Sequence, residues 1–365
     1  MKRSLSVATI VLSISLAAAQ KPNITNGKVQ EQSAAQGLKP AIASIIAAQA
    51  GPLWIGYRIP SARKERTMCC WDSISGSRNR GSNCCLGCRM SSDEGGSFTG
   101  TDSNCPPPEP APYAFVFLRA ESGQLTRARV FSADCSLDFA GLPLYWLEPV
   151  NPEQSVEFLA DLAQKSNNND EETRYSHDVS HQAIMAIAMH DVPAADRELE
   201  KLIQPNQPLS LRENVAFWLG VERGKSGLDL LRKYGVQDKD ERFREKVTFA
   251  ISQNKDPKAV KDLIGMARND SSSEVRGQAL FWLAQIGGRK EAAEITNSIA
   301  NDPDTEVKKK AVFALSQIHN GEGVPLLIQI ARTNPNPAVR KQAFFWLGQS
   351  RDPRALDFLE EVLTK

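Results

Sequence analysis

Bulky apolar residues recur every 32 positions at Val179, Leu211, Phe243, Val275, Val307 and Val339, and the columns around them align without a gap. Self-similarity at a fixed period of this length is the mark of stacked structural repeats and decides the fold before any other feature is weighed. Four residues after the register come Ala183, Val215, Val247, Ala279, Ala311 and Ala343, and eight after it Ile187, Leu219, Ile251, Leu283, Leu315 and Leu347. Steps of four put these columns on one side of a helix. Twenty after the register, Leu199, Leu231, Leu263, Ile295, Leu327 and Leu359 mark a second helix in each unit. Between helices, Asn301-Asp302-Pro303-Asp304 and Asn334-Pro335-Asn336-Pro337 are turn sequences, with Asp304 and Asn336 placed to cap the helix that follows. Six helical hairpins, none able to bury its apolar faces alone, must therefore stack into an α-solenoid over residues 176–365.

Segments such as Val275-Arg276-Gly277-Gln278-Ala279-Leu280-Phe281-Trp282-Leu283 and Asp304-Thr305-Glu306-Val307-Lys308 resemble the HEAT repeat family in its short form, named after phycobilisome lyases. The resemblance covers about half the chain and implies an αα-superhelix with long exposed surfaces suited to protein or peptide binding. Helix-packing logic favours the second-helix face as the groove. The same resemblance extends to deoxyhypusine hydroxylase, whose iron ligands come from repeated His-Glu dipeptides, and to phycobilin lyases. No His-Glu dipeptide occurs here, and chromophore-lyase activity has no supporting tetrapyrrole context.

Two repeat columns carry functional alternatives. Trp218, Trp282 and Trp346 share one column in alternate repeats, with Ala186, Ala250 and Ala314 between them. Complementary core packing explains the alternation; a ladder of ligand-binding aromatics is the other reading. Core packing implies that truncating Trp282 to Ala costs about 3–5 kcal/mol. The basic column Arg212, Arg244, Arg276, Lys308 and Arg340 is expected to pair with acidic or carbonyl groups at repeat junctions, with Asp240, Asp304 and Glu306 as partners, rather than to bind anions. As exposed pairs these contribute about 0–1 kcal/mol each.

Upstream, the rhythm is missing. Residues 38–150 hold short apolar runs at Leu53 to Tyr57, Tyr113 to Leu118, Ala128 to Phe131 and Leu142 to Leu147, which predict strands of a small β-rich or α+β domain, with a helix over Lys39 to Ala50. Ser91 to Pro112 reads as a long loop. Residues 20–37 are expected to be disordered. Over 151–175, an amphipathic helix from Val156 to Ala163 is expected to cap the array, joined to it by the polar run Ser166 to Glu172. All seven cysteines, Cys69, Cys70, Cys84, Cys85, Cys88, Cys105 and Cys135, fall in this upstream region. Structural disulfides are the first reading in an exported chain, with an odd thiol left over. Cys85-Leu86-Gly87-Cys88 also permits a zinc knuckle or a redox pair, although no histidine lies nearby to complete a metal site.

Export is expected because residues 1–19 run from Lys2 and Arg3 through an apolar stretch to Ala17-Ala18-Ala19, the layout of a cleavable signal, giving a periplasmic or extracellular product with no membrane span. Losing Lys2 and Arg3 turns the formal charge from +1 to −1, and nucleic-acid binding, which draws its affinity from neutralised phosphates, is not expected. His177 and His181 stand four apart, yet lack the glutamate of a zinc-protease motif. Neither catalytic nor metal residues are assigned and no cofactor is expected; the chain reads as a protein- or peptide-binding scaffold, with a thiol-disulfide or metal enzyme centred on Cys85 and Cys88 as the alternative.

Overall fold

The computed structural model describes residues 21–49, 51–62, 88–90, 111–133, 135–165 and 179–364. The sites of the signal sequence, of Cys69, Cys70, Cys84, Cys85 and Cys105, of His177, of the polar linker and of nearly all of the expected Ser91 to Pro112 loop lie outside them.

Continuous apolar runs form the strands of the N-terminal domain because its main sheet is covered on both faces. Strand β3 (Leu53–Pro60) pairs antiparallel with β5 (Tyr113–Glu121), which pairs with β6 (Gln124–Ser132), and β8 (Pro143–Leu147) joins parallel to β3. Alternation sorts side chains to opposite faces. Leu53, Ile55, Tyr57 and Ile59 join the core shared with the helices, whereas Trp54 belongs to a second, aromatic core with Phe115, Phe117, Phe131, Phe139 and Trp146. A Cβ at Gly56 would lie 2.7 Å from the Phe117 ring, so glycine makes room there for the aromatic layer.

Residues 20–37, expected to be disordered, contribute two strands instead. β1 (Asn23–Thr25) lies parallel to β7 (Ser136–Asp138), beside β4 (Cys88–Arg89), and β2 (Lys28–Gln32) closes the edge of the main sheet against β8. Both are short, exposed and polar, and their stability comes from ladder bonds to partners more than a hundred residues away. Helix α1 (Leu38–Ala48) packs against α2 (Pro152–Lys165), the helix expected to cap the array.

Each of the six hairpins is present: α3 (Val179–Met189) with α4 (Pro193–Leu202); α5 (Leu209–Glu222) with α6 (Gly224–Leu230), extended by a π-helical turn over Leu231–Gly235; α7 (Glu241–Gln253) with α8 (Ala259–Asn269); α9 (Ser273–Ile286) with α10 (Arg289–Asn301); α11 (Thr305–Ser316) with α12 (Val324–Thr333); and α13 (Pro337–Gln349) with α14 (Pro353–Thr364). Asp240, Ser272, Asp304 and Asn336 accept backbone N–H bonds at the starts of α7, α9, α11 and α13. All six register residues are buried or nearly so, and the core runs unbroken from the sheet to α14. Among the described residues no helix is long and apolar enough to cross a membrane.

First helices stack closely on first helices along the array, whereas second helices touch one another sparsely. Small residues permit this: a Cβ on Gly220 would sit 2.1 Å from the Ala250 carbonyl oxygen. In a curved two-layer stack the more closely spaced layer is the inner one. The first-helix face is therefore the groove, contrary to the second-helix face expected from packing logic.

The sheet and the array are joined by a buried polar chain. His190 Nδ1 lies 2.7 Å from the Ala186 carbonyl, Nε2 lies 3.0 Å from Ser155 Oγ, and Ser155 Oγ lies 3.0 Å from the Tyr57 phenol. The Asp191 N–H donates to the Pro60 carbonyl and the Ala62 N–H to that of Met189, so β3 ends on the first repeat. Gln182 on α3 accepts the Ala128 N–H of β6.

Candidate functional site

Sidedness turns the repeat columns into a surface. Six residues after the register, the five later first helices each carry phenylalanine: Phe217, Phe249, Phe281, Phe313 and Phe345. The first four are half-buried and Phe345 is 53% exposed. Together with the tryptophan column they make one run of ring contacts. Trp218 meets Phe217 at 4.9 Å between centroids, Phe217 stacks on Phe249 at 5.9 Å, and Phe249 meets Trp282 at 4.6 Å. Trp282 touches Phe281 at 4.9 Å, Phe281 stacks on Phe313 at 6.0 Å, and Phe313, Trp346 and Phe345 complete the run at 4.8 and 5.0 Å. Edge and offset geometries of this kind add about 0.5–1.5 kcal/mol per pair.

The run is not uniform. The 64-residue alternation of Trp and Ala gathers the rings into two equivalent slots. In one, Trp282 lies between Phe249 and Phe281; in the other, Trp346 lies between Phe313 and Phe345. Trp218 is buried, whereas Trp282 and Trp346 are half-buried, so the column serves packing and surface together. We expect Trp282→Ala to cost about 2 kcal/mol, less than the range for a fully enclosed aromatic, because one side of the indole faces the groove. Thermal unfolding of the variant measures it.

One turn beyond each slot phenylalanine stands a glutamine: Gln253, Gln285, Gln317 and Gln349. One turn before them, the residues change sign along the array. Glu213 and Glu245 precede Phe217 and Phe249, Gly277 precedes Phe281, and Lys309 and Lys341 precede Phe313 and Phe345. Partial burial raises the pKa of Glu213, and burial followed by the neighbouring Glu241 and Glu274 carboxylates raises that of Glu245. Neither is in an ion pair among the described residues. Lys309 pairs with Glu306, and Lys310 reaches across α9 to Glu274.

The basic column is structural. Arg276 grips Asp302 with two bonds, Nε to Oδ2 at 2.8 Å and Nη2 to Oδ1 at 3.0 Å, while Nη1 donates to the Asp270 carbonyl at 3.0 Å. Arg244 holds Asp270 in the same way at 2.9 and 3.0 Å, and Arg212 pairs with Asp238 while lying 4.0 Å over the Phe243 ring. The three arginines are buried, as is Asp302. These partners differ from the expected Asp240, Asp304 and Glu306, since Asp240 and Asp304 are engaged in capping. Each partner aspartate stands two residues before a cap and also accepts the cap residue's N–H, at 2.8 to 2.9 Å. Lys308 donates instead to the Ala300 carbonyl, and Arg340 to the carbonyls of Asn334 and Pro335.

Cys88 and Cys135 are buried in the aromatic core, with Cys135 Sγ 3.4 Å from Ser132 Oγ. His181 is half-buried on α3, His190 is sequestered at the domain junction, and His319 is exposed at the start of a 3₁₀ turn. Among the described residues no three His, Cys, Asp or Glu side chains gather as metal ligands would.

A family model of HEAT repeats matches residues 197–284 and 292–365. No curated protein matches the chain in sequence. Among solved structures, the chain is similar to human deoxyhypusine hydroxylase in complex with glycerol, at 17% identity over 57% of this chain and 89% of that one, with a TM-score of 0.25. It is similar to the complex of CpcE and CpcF of phycocyanin lyase from Nostoc sp. PCC7120, at 16% identity over 56% and 80%, TM-score 0.27. Kap121p bound to Pho4p matches at 14% identity over 54% and 23%, TM-score 0.35. At such scores none of these likenesses carries a functional argument.

Proposed function

We propose that this protein is a non-catalytic scaffold that binds a protein or peptide along the first-helix face of its HEAT array, and that it works outside the cytoplasm. The aromatic run carries the reading. Eight contacting rings are maintained on the groove side through five repeats, where soluble helices ordinarily place polar residues on the face turned to water. Aromatic residues are also the type most enriched at protein interfaces. The proposed export rests on the layout of residues 1–19, and in that setting the upstream cysteines would serve as disulfides holding the small domain together.

The test is co-purification of partners from the producing cells with wild type and with a variant carrying Phe249→Ser, Phe281→Ser and Phe313→Ser. The variant is expected to keep its helical circular dichroism and to lose the partner proteins that wild type retains. Recovery of the same partners by both chains would remove the first-helix face from the account.

A further inference from the structure

From the two slots we infer, building on the scaffold reading above, that the groove takes one linear peptide segment in a fixed direction: an Arg or Lys side chain enters the Trp282 slot, and a large apolar side chain flanked by Asp or Glu enters the Trp346 slot. The slots have the same three-ring construction and opposite electrostatics. At the first, Glu245 lies one turn from Phe249 on the same helix face, and the Lys310 stem lies over Gly277 while its ammonium pairs with Glu274. A carboxylate in no ion pair among the described residues, beside a tryptophan flanked by two phenylalanines, suits a cation: the ring faces attract it and the carboxylate pairs with it. At the second slot Lys309 and Lys341 occupy the corresponding positions. Lys309 is held only by an exposed pair with Glu306, and Lys341 is in no ion pair among the described residues. A cation is repelled there, whereas an apolar side chain next to a carboxylate is accommodated.

Spacing fixes the form of the occupant. The slots are two repeats apart, and helices packed side by side stand about 8–10 Å from one another, so the slots are about 16–20 Å apart. An extended or polyproline II chain advances about 3.1–3.4 Å per residue and covers that span in five or six residues. A helix would need about twice as many. An extended chain leaves its backbone groups unpaired, and Gln253, Gln285, Gln317 and Gln349 line the same face with amides that both donate and accept.

The experiment is a display selection of random 16-residue peptides on the full chain, followed by fluorescence-polarisation titration of the selected sequences. Enrichment of Arg or Lys five or six residues from a large apolar residue that neighbours Asp or Glu is expected. Glu245→Lys should weaken those peptides at least tenfold, and replacing the peptide's basic residue with Glu should restore binding to that variant, an exchange that misfolding cannot mimic. If the selected peptides need Phe281 but ignore Glu245→Lys, the directional pairing falls and the scaffold reading stands. Peptides indifferent to Phe281→Ala as well would remove both, and a selection that enriches nothing would remove the peptide pairing.

Discussion

Replacing Arg276 with Ala lowers the stability of the array by about 3–5 kcal/mol, the largest single-residue effect we expect. Arg276 bonds Asp302 through both carboxylate oxygens and reaches back to the Asp270 carbonyl, so one guanidinium fastens two successive inter-repeat turns. Removing it leaves the buried Asp302 without its counter-charge, retaining only the bond from the Asp304 N–H. Leaving a buried charge uncompensated costs far more than losing an exposed pair. Arg276→Lys falls between the two, because a single ammonium cannot replace the planar fork. The protein holds its own control: Lys308 makes one bond to a carbonyl, and its junction carries Asn334 where the others carry aspartate. Lys308→Ala should cost no more than about 1 kcal/mol. Urea denaturation compares the variants, and amide exchange should show the Arg276→Ala loss concentrated where α9 meets α11, since each repeat is coupled mainly to its neighbours. Equal costs at 276 and 308 would contradict the bracing role.

Acidification between pH 6.5 and 4 should weaken the join between the sheet domain and the first repeat by about 3 kcal/mol through His190 alone. Burial lowers the imidazole pKa from 6.5 to about 4; the hydrogen bond to Ala186 opposes this and the nearby Arg223 adds to it. The physical cause is desolvation: a charged imidazolium at this fully buried position gives up its hydration, while Nδ1 stays against the Ala186 carbonyl, Nε2 faces Ser155 Oγ, and Ser155 Oγ donates to the Tyr57 phenol. The folded pKa lies below the unfolded one, so the stabilisation is complete above pH 6.5, falls as pH drops, and is gone below 4. The difference between wild type and His190→Gln isolates this contribution from the carboxylates that titrate in the same range. The urea midpoint of wild type should fall more steeply with pH than that of the variant, and parallel curves would show that His190 does not titrate within the fold.

Much of this architecture was legible in the residues. The register columns named all six hairpins, Asp304 and Asn336 were recognisable as caps, and the apolar runs at 53, 113, 128 and 142 each became a strand. What escaped has identifiable causes. β1 and β2 are polar and short, and nothing local reveals a parallel partner more than a hundred residues away. Sequence pattern points to Asp240, Asp304 and Glu306 as the acidic partners of the arginines, yet Asp238, Asp270 and Asp302 form their own 32-residue column two positions before the caps. The phenylalanine column is equally periodic and lies beside the Trp and Ala alternation. Only the close stacking of first helices reveals that this column faces the groove, because sidedness depends on which layer the small residues allow to approach. The five cysteines that fall outside the described residues leave the disulfide reading of the upstream domain where the sequence placed it.

The central claim is that the first-helix face, and not the second, meets a partner. A photoreactive phenylalanine placed at Phe281 on α9, and separately at the exposed Asn297 on α10, tests it in the producing cells. Irradiation should join the chain covalently to another protein from position 281 and leave it alone from position 297. Adducts formed from 297 and absent from 281 would contradict the account.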